Sequence, residues 1–310
     1  MESMPLVSIV TINYNQSKIT LELLNSLRNI TYPNIEIIVV DNASPNDKPD
    51  ILKTEHPDIM LIKSEKNIGF AGGNNLGVRV SKGDYLLFIN NDTEVERGFL
   101  EPMVKLLEND RTIGMVSPKI LFYHRPDTIQ YAGYYPMNPY TMRQNLVGYR
   151  QKDIGQYNET KETYAIHGAA MMVPRRVITQ VGMMTEIYFL YYEEHDWCVR
   201  IKRAGYSVYY QPQSVVFHKE SVSTGKESPL KIYYIARNRI LYSRRNSKGL
   251  TRVINFIYFN LVSFPKSLVQ YILQRRFDLV VPIFKAFTWN FFHYKNIHHN
   301  PKLSNYENKV

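Results

Sequence analysis

The sequence predicts an α/β protein, a doubly wound and mostly parallel sheet with a helical C-terminal extension, and three observations carry that reading. Short, β-branched apolar runs alternate with helical stripes over the first hundred or so residues. Those runs end in polar, hydrogen-bonding residues: Asn13, Tyr14 and Asn15, then Asp41, then Asn90 to Asp92. From about Leu230 onward the pattern turns helical, basic and aromatic.

The elements follow in order. Leu6–Ile12 is short, apolar and β-branched, as a buried strand requires. Ser17 offers a helix cap, and Ile19, Leu23, Leu24, Leu27 and Ile30 make the stripe that follows it. Pro33-Asn34 is a turn into a second strand, Glu36–Val40, which ends at Asp41. A polar loop and a short helix ending near His56 lead to a third strand, Ile59–Lys63. Asn67 to Gly77 is a loop rich in Gly and Asn that opens a helix running to about Val80. Tyr85–Ile89 is the fourth strand, and a helix follows from about Gly98 to Glu108. From about Lys119 to Lys161 the chain is rich in Tyr, Pro and Asn without strong periodicity, so it reads as long loops with short strands. Ala165–Val173 and Ser214–His218 are further strands, with a helix over about Tyr191 to Ala204 between them. Beyond Leu230, the apolar run Val253–Phe264 is interrupted by Pro265, and Ser267–Phe277 and Leu279–Phe292 are amphipathic.

The composition excludes several classes. One cysteine, Cys198, rules out an internal disulfide framework and argues against a cysteine-based zinc site. No apolar run reaches the roughly 18 residues of a spanning helix, and the first residues do not read as a signal peptide. The net charge of +10 is uneven: residues 226–310 hold 15 Lys/Arg against 3 Asp/Glu, and residues 1–225 hold 23 against 25. The basic tail alone would suit nucleic acid or an anionic membrane surface.

Four constellations can carry chemistry. Asn90-Asn91-Asp92 places a carboxylate at a strand's carboxyl end, where it can hold a hard divalent cation or simply close a turn. Glu193-Glu194-His195-Asp196 crowds three carboxylates between apolar flanks, a setting for a general base. His218 closes an apolar strand and could complete a metal shell with Asp92. Asn67 to Asn75 is a glycine loop ahead of a helix, which favours a phosphate, yet it matches neither the P-loop nor the dinucleotide fingerprint.

Taken in order, these pieces resemble glycosyltransferase family 2, in particular its bacterial rhamnosyltransferase-like branch. The resemblance rests on Val7–Asn15, Ile38–Ser44, Asn67–Gly77, Gly83–Asp92, Gly168–Arg175 and Tyr191–Arg200, with His218, Ser221 and Arg237-Asn238-Arg239, and covers about residues 5 to 245. It implies a GT-A type, Rossmann-like catalytic domain over 1–245, with a nucleotide-sugar half of about 1–115 and an acceptor half of about 116–245. The basic aromatic helical extension then covers 246–310. It further implies that Thr11, Asn13, Tyr14, Asn15, Asp41, Asn67, Gly72, Asn74, Asn90 and Asn91 face the nucleotide sugar. His167, Gly168, Ala169 and Trp197 would lie near the acceptor, Asp92 and His218 would hold Mg²⁺ or Mn²⁺, and Glu194 would be the catalytic base. Two departures are visible. The DxD-type motif keeps one carboxylate, and the usual Glu-Asp pair reads Glu193-Glu194, so Glu193 and Asp196 stand as alternates for the base.

The expected activity is inverting transfer of a sugar, rhamnose first, from a dTDP- or UDP-sugar to a hydroxyl of a lipid-linked or cell-surface polysaccharide. The expected location is cytoplasmic, peripheral on the inner face of the membrane through residues 250–295, with a homodimer as the other use of those helices. A catalytically silent sugar-nucleotide scaffold and a nucleic-acid-binding protein are the competing readings. No nucleic-acid partner is expected, because that reading leaves the acidic cluster unexplained.

Overall fold

The computed structural model describes residues 4–219, 228–293 and 297–303. In the first part strand and helix alternate: β1 (Val7–Asn13), α1 (Ser17–Leu27), β2 (Ile35–Asp41), α2 (Asp50–Glu55), β3 (Met60–Lys63), α3 (Gly69–Val80) and β4 (Tyr85–Ile89). Then come β5 (Thr93–Val95), α4 (Leu100–Asn109), β6 (Ile113–Phe122), β7 (Arg125–Tyr131), β8 (Lys161–Glu162), β9 (Ala170–Pro174) and α5 (Arg175–Val181). After a 3₁₀ turn at Glu186–Tyr188 follow α6 (Glu193–Arg203), β10 (Ser207–His218) and α7 (Pro229–Asn246). The chain ends in α8 (Gly249–Ile257), a π turn at Tyr258–Ser263, α9 (Phe264–Leu273) and α10 (Phe277–Phe292).

All strands join one sheet in the order β3-β2-β1-β4-β9-β6-β10-β5, with β7 beside β6 and β8 beside β10. The longest pairings, β1 with β2 and β6 with β10, are parallel, and β9 runs antiparallel between β4 and β6. Parallel central strands are covered on both faces, which is why β1 and β4 are apolar runs rather than alternating ones. Ile9, Val39 and Leu87 point to the side where Leu23, Leu24 and Leu27 of α1 and Met103 of α4 pack. Val10, Ile38 and Phe88 point to the other side, against Ala71 and Val78 of α3, Val177 of α5 and Trp197 and Ile201 of α6. The sheet is thus doubly wound, and its carboxyl edge collects the polar strand ends.

Three local readings are corrected. Ser17 does not cap α1 with its own oxygen; its N–H and Oγ both donate to Asp47 Oδ2 at 2.7 Å, so a carboxylate from another loop sits at the helix N-terminus. β6 is a ten-residue buried strand where the sequence suggests loops from Lys119 on. Pro118 interrupts its apolar pattern, and β10 answers with a bulge between Gln211 and Val215 at the point where Pro118 has no N–H to give. Pro265 does not break the last helices apart. The backbone stays right-handed helical through Ser263 and Phe264, and the widened π turn stands just ahead of the proline, which has no N–H to give to that turn.

Candidate active site

The carboxyl ends of β1 and β4, the loop before α6 and the start of α7 surround a cavity of 430 Å³. Tyr14, Asn67, Asn90, Asn91, Asp92, His167, Gly168, Ala169, Glu193, Glu194 and His218 all line it. These come from segments far apart in sequence, joined only by the sheet order.

At the β1–β2 edge the polar residues bind one another. Asn13 Nδ2 donates to Asp41 Oδ1 at 2.9 Å, and Asn13 Oδ1 accepts from Thr20 Oγ1 at 2.9 Å. Ser44 Oγ donates to Asp41 Oδ1 at 2.6 Å, and Asn15 Oδ1 accepts from the N–H of Asn46. Asn91 joins this network by donating to Thr20 Oγ1 at 3.0 Å. Thr11, Asn13 and Asp41 are buried and do not line the cavity, so this cluster fixes the floor beside Tyr14.

The Asn/Gly loop divides differently from the sequence reading. Asn67 Oδ1 accepts from Asn42 Nδ2 at 3.0 Å and from the Gly69 N–H at 2.9 Å, and Asn67, Gly69 and Phe70 reach the cavity. Gly72 packs on Ile68, and Asn74 is buried with Nδ2 donating to the Phe70 carbonyl. Both lie inside α3 and face no ligand space. Gly69, at φ +73°, is required by geometry: a Cβ there would stand 2.3 Å from the Phe189 carbonyl.

Asp92 and His218 meet at 3.1 Å, Oδ1 to Nε2, both nearly buried. On its other nitrogen His218 Nδ1 lies 2.8 Å from Gln130 Oε1. A carbonyl oxygen only accepts, so Nδ1 carries the proton, and in the neutral ring Nε2 turns its lone pair toward Asp92. A lone pair facing a carboxylate oxygen is repulsive unless a cation or proton lies between them. This donor pair, with its outer nitrogen fixed by Gln130, fits a hard divalent cation that takes its remaining ligands from phosphate oxygens and water. His167 stacks edge-on against His218, with ring centroids 5.9 Å apart, and its Nδ1 accepts from the Ala169 N–H at 3.1 Å. Burial, with the neighbouring His218 adding, pushes the His167 pKa down to about 3, so this ring stays neutral.

The acidic cluster separates into three roles. Glu194 is 13% exposed, with Oε1 3.0 Å from His195 Nδ1. Burial opposes its ionisation, but His195, hydrogen-bonded beside it, outweighs burial and holds its carboxyl below the ordinary glutamate range. Glu193 is the opposite: burial first, then the charge of Glu194, raise its pKa well above that range. One neighbour is therefore kept as carboxylate and the other as carboxylic acid. Gly168 lies beside Glu194: a methyl there would stand in ordinary contact with its carboxyl carbon at 3.8 Å. Asp196 is no alternate base. Its Oδ1 accepts from Arg245 Nε at 2.9 Å and Asn246 Nδ2 at 3.0 Å, and its Oδ2 accepts from Arg200 Nε at 3.2 Å, Thr185 Oγ1 at 3.0 Å and Arg245 Nη2 at 3.0 Å. Trp197 is likewise not an acceptor residue: it is fully buried, donates to the Gly182 carbonyl and packs edge-on against Phe88.

The loop that delivers Glu194 is strained. Phe189, Tyr191 and Tyr192 hold φ of +64°, +70° and +75°. Asn238 of α7 clamps it, its Nδ2 donating to the carbonyls of Tyr188, Leu190 and Tyr191 at 2.7–2.8 Å. Arg237 Nη2 adds the carbonyls of Ile187 and Tyr188 at 2.7 and 2.6 Å. Sequence reasoning did not assign Gln130, Tyr134, Phe189, Leu190, Tyr191 or Lys231 to the cavity, though all line it. The tyrosine-rich middle segment hinted at Tyr134; nothing marked Gln130 or Lys231. Ser221 lies outside the described residues.

The carboxyl edge of the doubly wound sheet, where such folds bind ligands, thus brings the Asp92–His218 pair and Glu194 into one cavity. Residues 8–180 match Glycosyl transferase family 2, and the chain belongs to that family. It is 26% identical over 286 residues to the low-salt glycan biosynthesis hexosyltransferase Agl10 of Haloferax volcanii, covering 89% of this chain and 88% of that one. It is 27% identical over 267 residues to the dTDP-rhamnosyl transferase RfbF of Shigella flexneri, covering 82% and 85%. Among solved structures, the mannosyltransferase PcManGT from Pyrobaculum calidifontis, in complex with GDP-Man and Mn²⁺, superposes with a TM-score of 0.60 at 16% identity, covering 95% of this chain and 89% of that one. GalNAc-T7 with UDP, GalNAc and Mn²⁺ gives 0.61 at 17% identity, covering 83% and 54%. The fold is GT-A, and the chain is a glycosyltransferase that draws on a nucleotide-sugar donor.

Proposed function

We propose that this chain transfers rhamnose or a similar hexose, with inversion, from a dTDP- or UDP-sugar to a hydroxyl of a lipid-linked or cell-surface polysaccharide precursor. The observation that carries the reading is Glu194, kept as a carboxylate in the same cavity as Asp92 and His218. Asp92 and His218 would hold the Mg²⁺ or Mn²⁺, which when bound neutralises charge on the leaving diphosphate. Tyr14, Asn67 and Asn90 line the donor side, and Lys231 adds a positive charge at the mouth. Glu194 takes the proton from the acceptor hydroxyl as that oxygen attacks the anomeric carbon and the diphosphate leaves. Glu193, as a neutral acid, adds no second negative charge beside the base.

The relative named as a dTDP-rhamnosyl transferase supports the donor, and the Mn²⁺ bound by structural neighbours supports the metal. The exposed apolar and basic helices α8 to α10 support a peripheral membrane position near a lipid-linked acceptor. Among the described residues, no helix is long and apolar enough to cross a membrane.

A thermal-shift panel of dTDP-, UDP- and GDP-sugars with and without Mn²⁺ tests the donor. One sugar nucleotide should stabilise the protein in a metal-dependent way; none doing so refutes the reading. Glu194→Gln should abolish turnover and leave that stabilisation intact, and a catalytically silent scaffold would show stabilisation without turnover in the wild type.

A further inference from the structure

A second cavity, of 220 Å³, opens between α7, α8 with its π turn, and α10. Arg244 and Arg252 stand on its wall among Phe256, Phe259, Phe287 and Phe291. Arg244 Nη1 donates to the Asn290 carbonyl at 2.7 Å and to Asn290 Oδ1 at 3.1 Å, both neutral acceptors. Among the described residues neither arginine pairs with a carboxylate, whereas Arg200, Arg245 and Arg276 each do. Burial, with the charge of Arg252 adding, lowers the Arg244 pKa. Two like charges thus share an aromatic cavity with no carboxylate partner among the described residues, a setting that an anion relieves.

The surroundings say which anion. Of 24 large apolar side chains exposed among the described residues, 14 lie between Leu250 and Phe292, so this is the greasiest face of the molecule. A second copy would cover them only by bringing one strongly basic tail, 15 Lys/Arg against 3 Asp/Glu, onto another. An anionic lipid surface satisfies apolar area and charge together. The cavity is smaller than the roughly 300 Å³ at which pockets accept drug-sized ligands, which excludes a sugar nucleotide and leaves room for a phosphate with a few methylenes.

We propose that this cavity seats the phosphate headgroup of one anionic phospholipid when the α8–α10 face lies on a membrane. Arg244 and Arg252 pair with the phosphate, and the phenylalanines take the first methylenes of its chains. The inference deepens the membrane position put forward under the proposed function and is independent of the transfer reaction.

The test is co-sedimentation of the full chain with vesicles of phosphatidylcholine alone and of phosphatidylcholine with phosphatidylglycerol. Arg244→Gln/Arg252→Gln is compared with a charge-matched control in the same C-terminal region but off the cavity, Lys266→Gln/Arg275→Gln. If cations act only through the surface potential, each pair costs about thirtyfold in partition, at about fivefold per charge. A seated headgroup makes the cavity pair cost at least about tenfold more than the control, and Arg252→Gln alone more than Lys266→Gln alone. Equal losses overturn the headgroup site. Wild-type protein that partitions onto neither vesicle, and dimerises by light scattering instead, overturns the lipid occupant altogether. Metal-dependent stabilisation by sugar nucleotide is measured on the same proteins: its absence in the wild type would fault the transfer reading alone, and its retention in Arg244→Gln/Arg252→Gln shows that the variant is folded.

Discussion

Removing the Asn238 side chain should disable the enzyme without touching the cavity. Three residues ahead of α6, Phe189, Tyr191 and Tyr192, sit at positive φ, and each costs roughly 1–2 kcal/mol relative to ordinary backbone. The loop therefore stores about 3–6 kcal/mol, and two residues of α7 hold it. Asn238 shares its two Nδ2 hydrogens among three carbonyls, the equivalent of two hydrogen bonds worth about 0.5–1.5 kcal/mol each, and Arg237 supplies two charge-assisted ones worth about 1.5–3 kcal/mol each. Asn238→Ala removes roughly 1–3 kcal/mol of that offset and leaves the Leu190 and Tyr191 carbonyls without their Asn238 donor. The remaining balance is close to zero, so the loop relaxes and Glu194, at the first turn beyond it, loses its fixed position. A displacement of about 1 Å at such a group costs on the order of 10²-fold in rate. The assay is kcat for release of nucleoside diphosphate from the donor, with the thermal midpoint measured in parallel. Asn238→Asp is the decisive companion: it keeps the shape and cannot donate, so it should be as damaging as alanine. Wild-type kcat in Asn238→Asp would refute the clamp and show that the loop holds its own conformation.

Other perturbations follow from the same geometry. Asp92→Asn should remove most of the Mn²⁺ dependence of donor stabilisation; an unchanged Mn²⁺ response in the thermal-shift panel would move the cation elsewhere. Asp196→Asn should cost about 3–5 kcal/mol at neutral pH, because Arg245 and Arg200 lose their buried counter-charge. Burial acts against the Asp196 charge, yet the Arg245 pair outweighs it and keeps the folded pKa below the unfolded one. The unfolded chain therefore binds the proton first, the stability is present above the ordinary aspartate range, and it is lost as pH falls through the depressed folded value. Urea midpoints measured down to about pH 3 should show the wild type and Asp196→Asn converging, and parallel curves would exclude the pair as the cause. Gly69→Ala should cost more than the roughly 1–2 kcal/mol usual for a side chain at positive φ, because the new methyl collides with the Phe189 carbonyl; a chemical-denaturation difference under about 0.5 kcal/mol would show that the loop yields freely.

What the sequence revealed and what it hid have one physical origin. Strand ends were legible because a parallel sheet demands apolar runs, and the change to polar residues marks where the chain leaves the core: Asn13, Asp41 and Asn90 to Asp92 fall at those points. Helix positions were misjudged by depth. Glu193 and Glu194 open α6 and reach the cavity, but Trp197 is about one turn further in, some 4.5–6 Å along the axis, where the same face has already met Phe88 and the sheet. Gly72 and Asn74 fail for the same reason in α3, where Asn67 and the first helical residues, Gly69 and Phe70, touch the cavity and the helix interior does not. A motif that is contiguous in sequence is thus functional only over its first turn, and the rest of it anchors that turn. The remaining partners are set by tertiary contact alone. Asp196 is made structural by Arg245, 49 residues away, and the tautomer of His218 is set by Gln130, 88 residues away. No local pattern encodes those separations, so a sequence can nominate a base and a metal ligand, while the choice between Glu194 and Asp196 belongs to the fold.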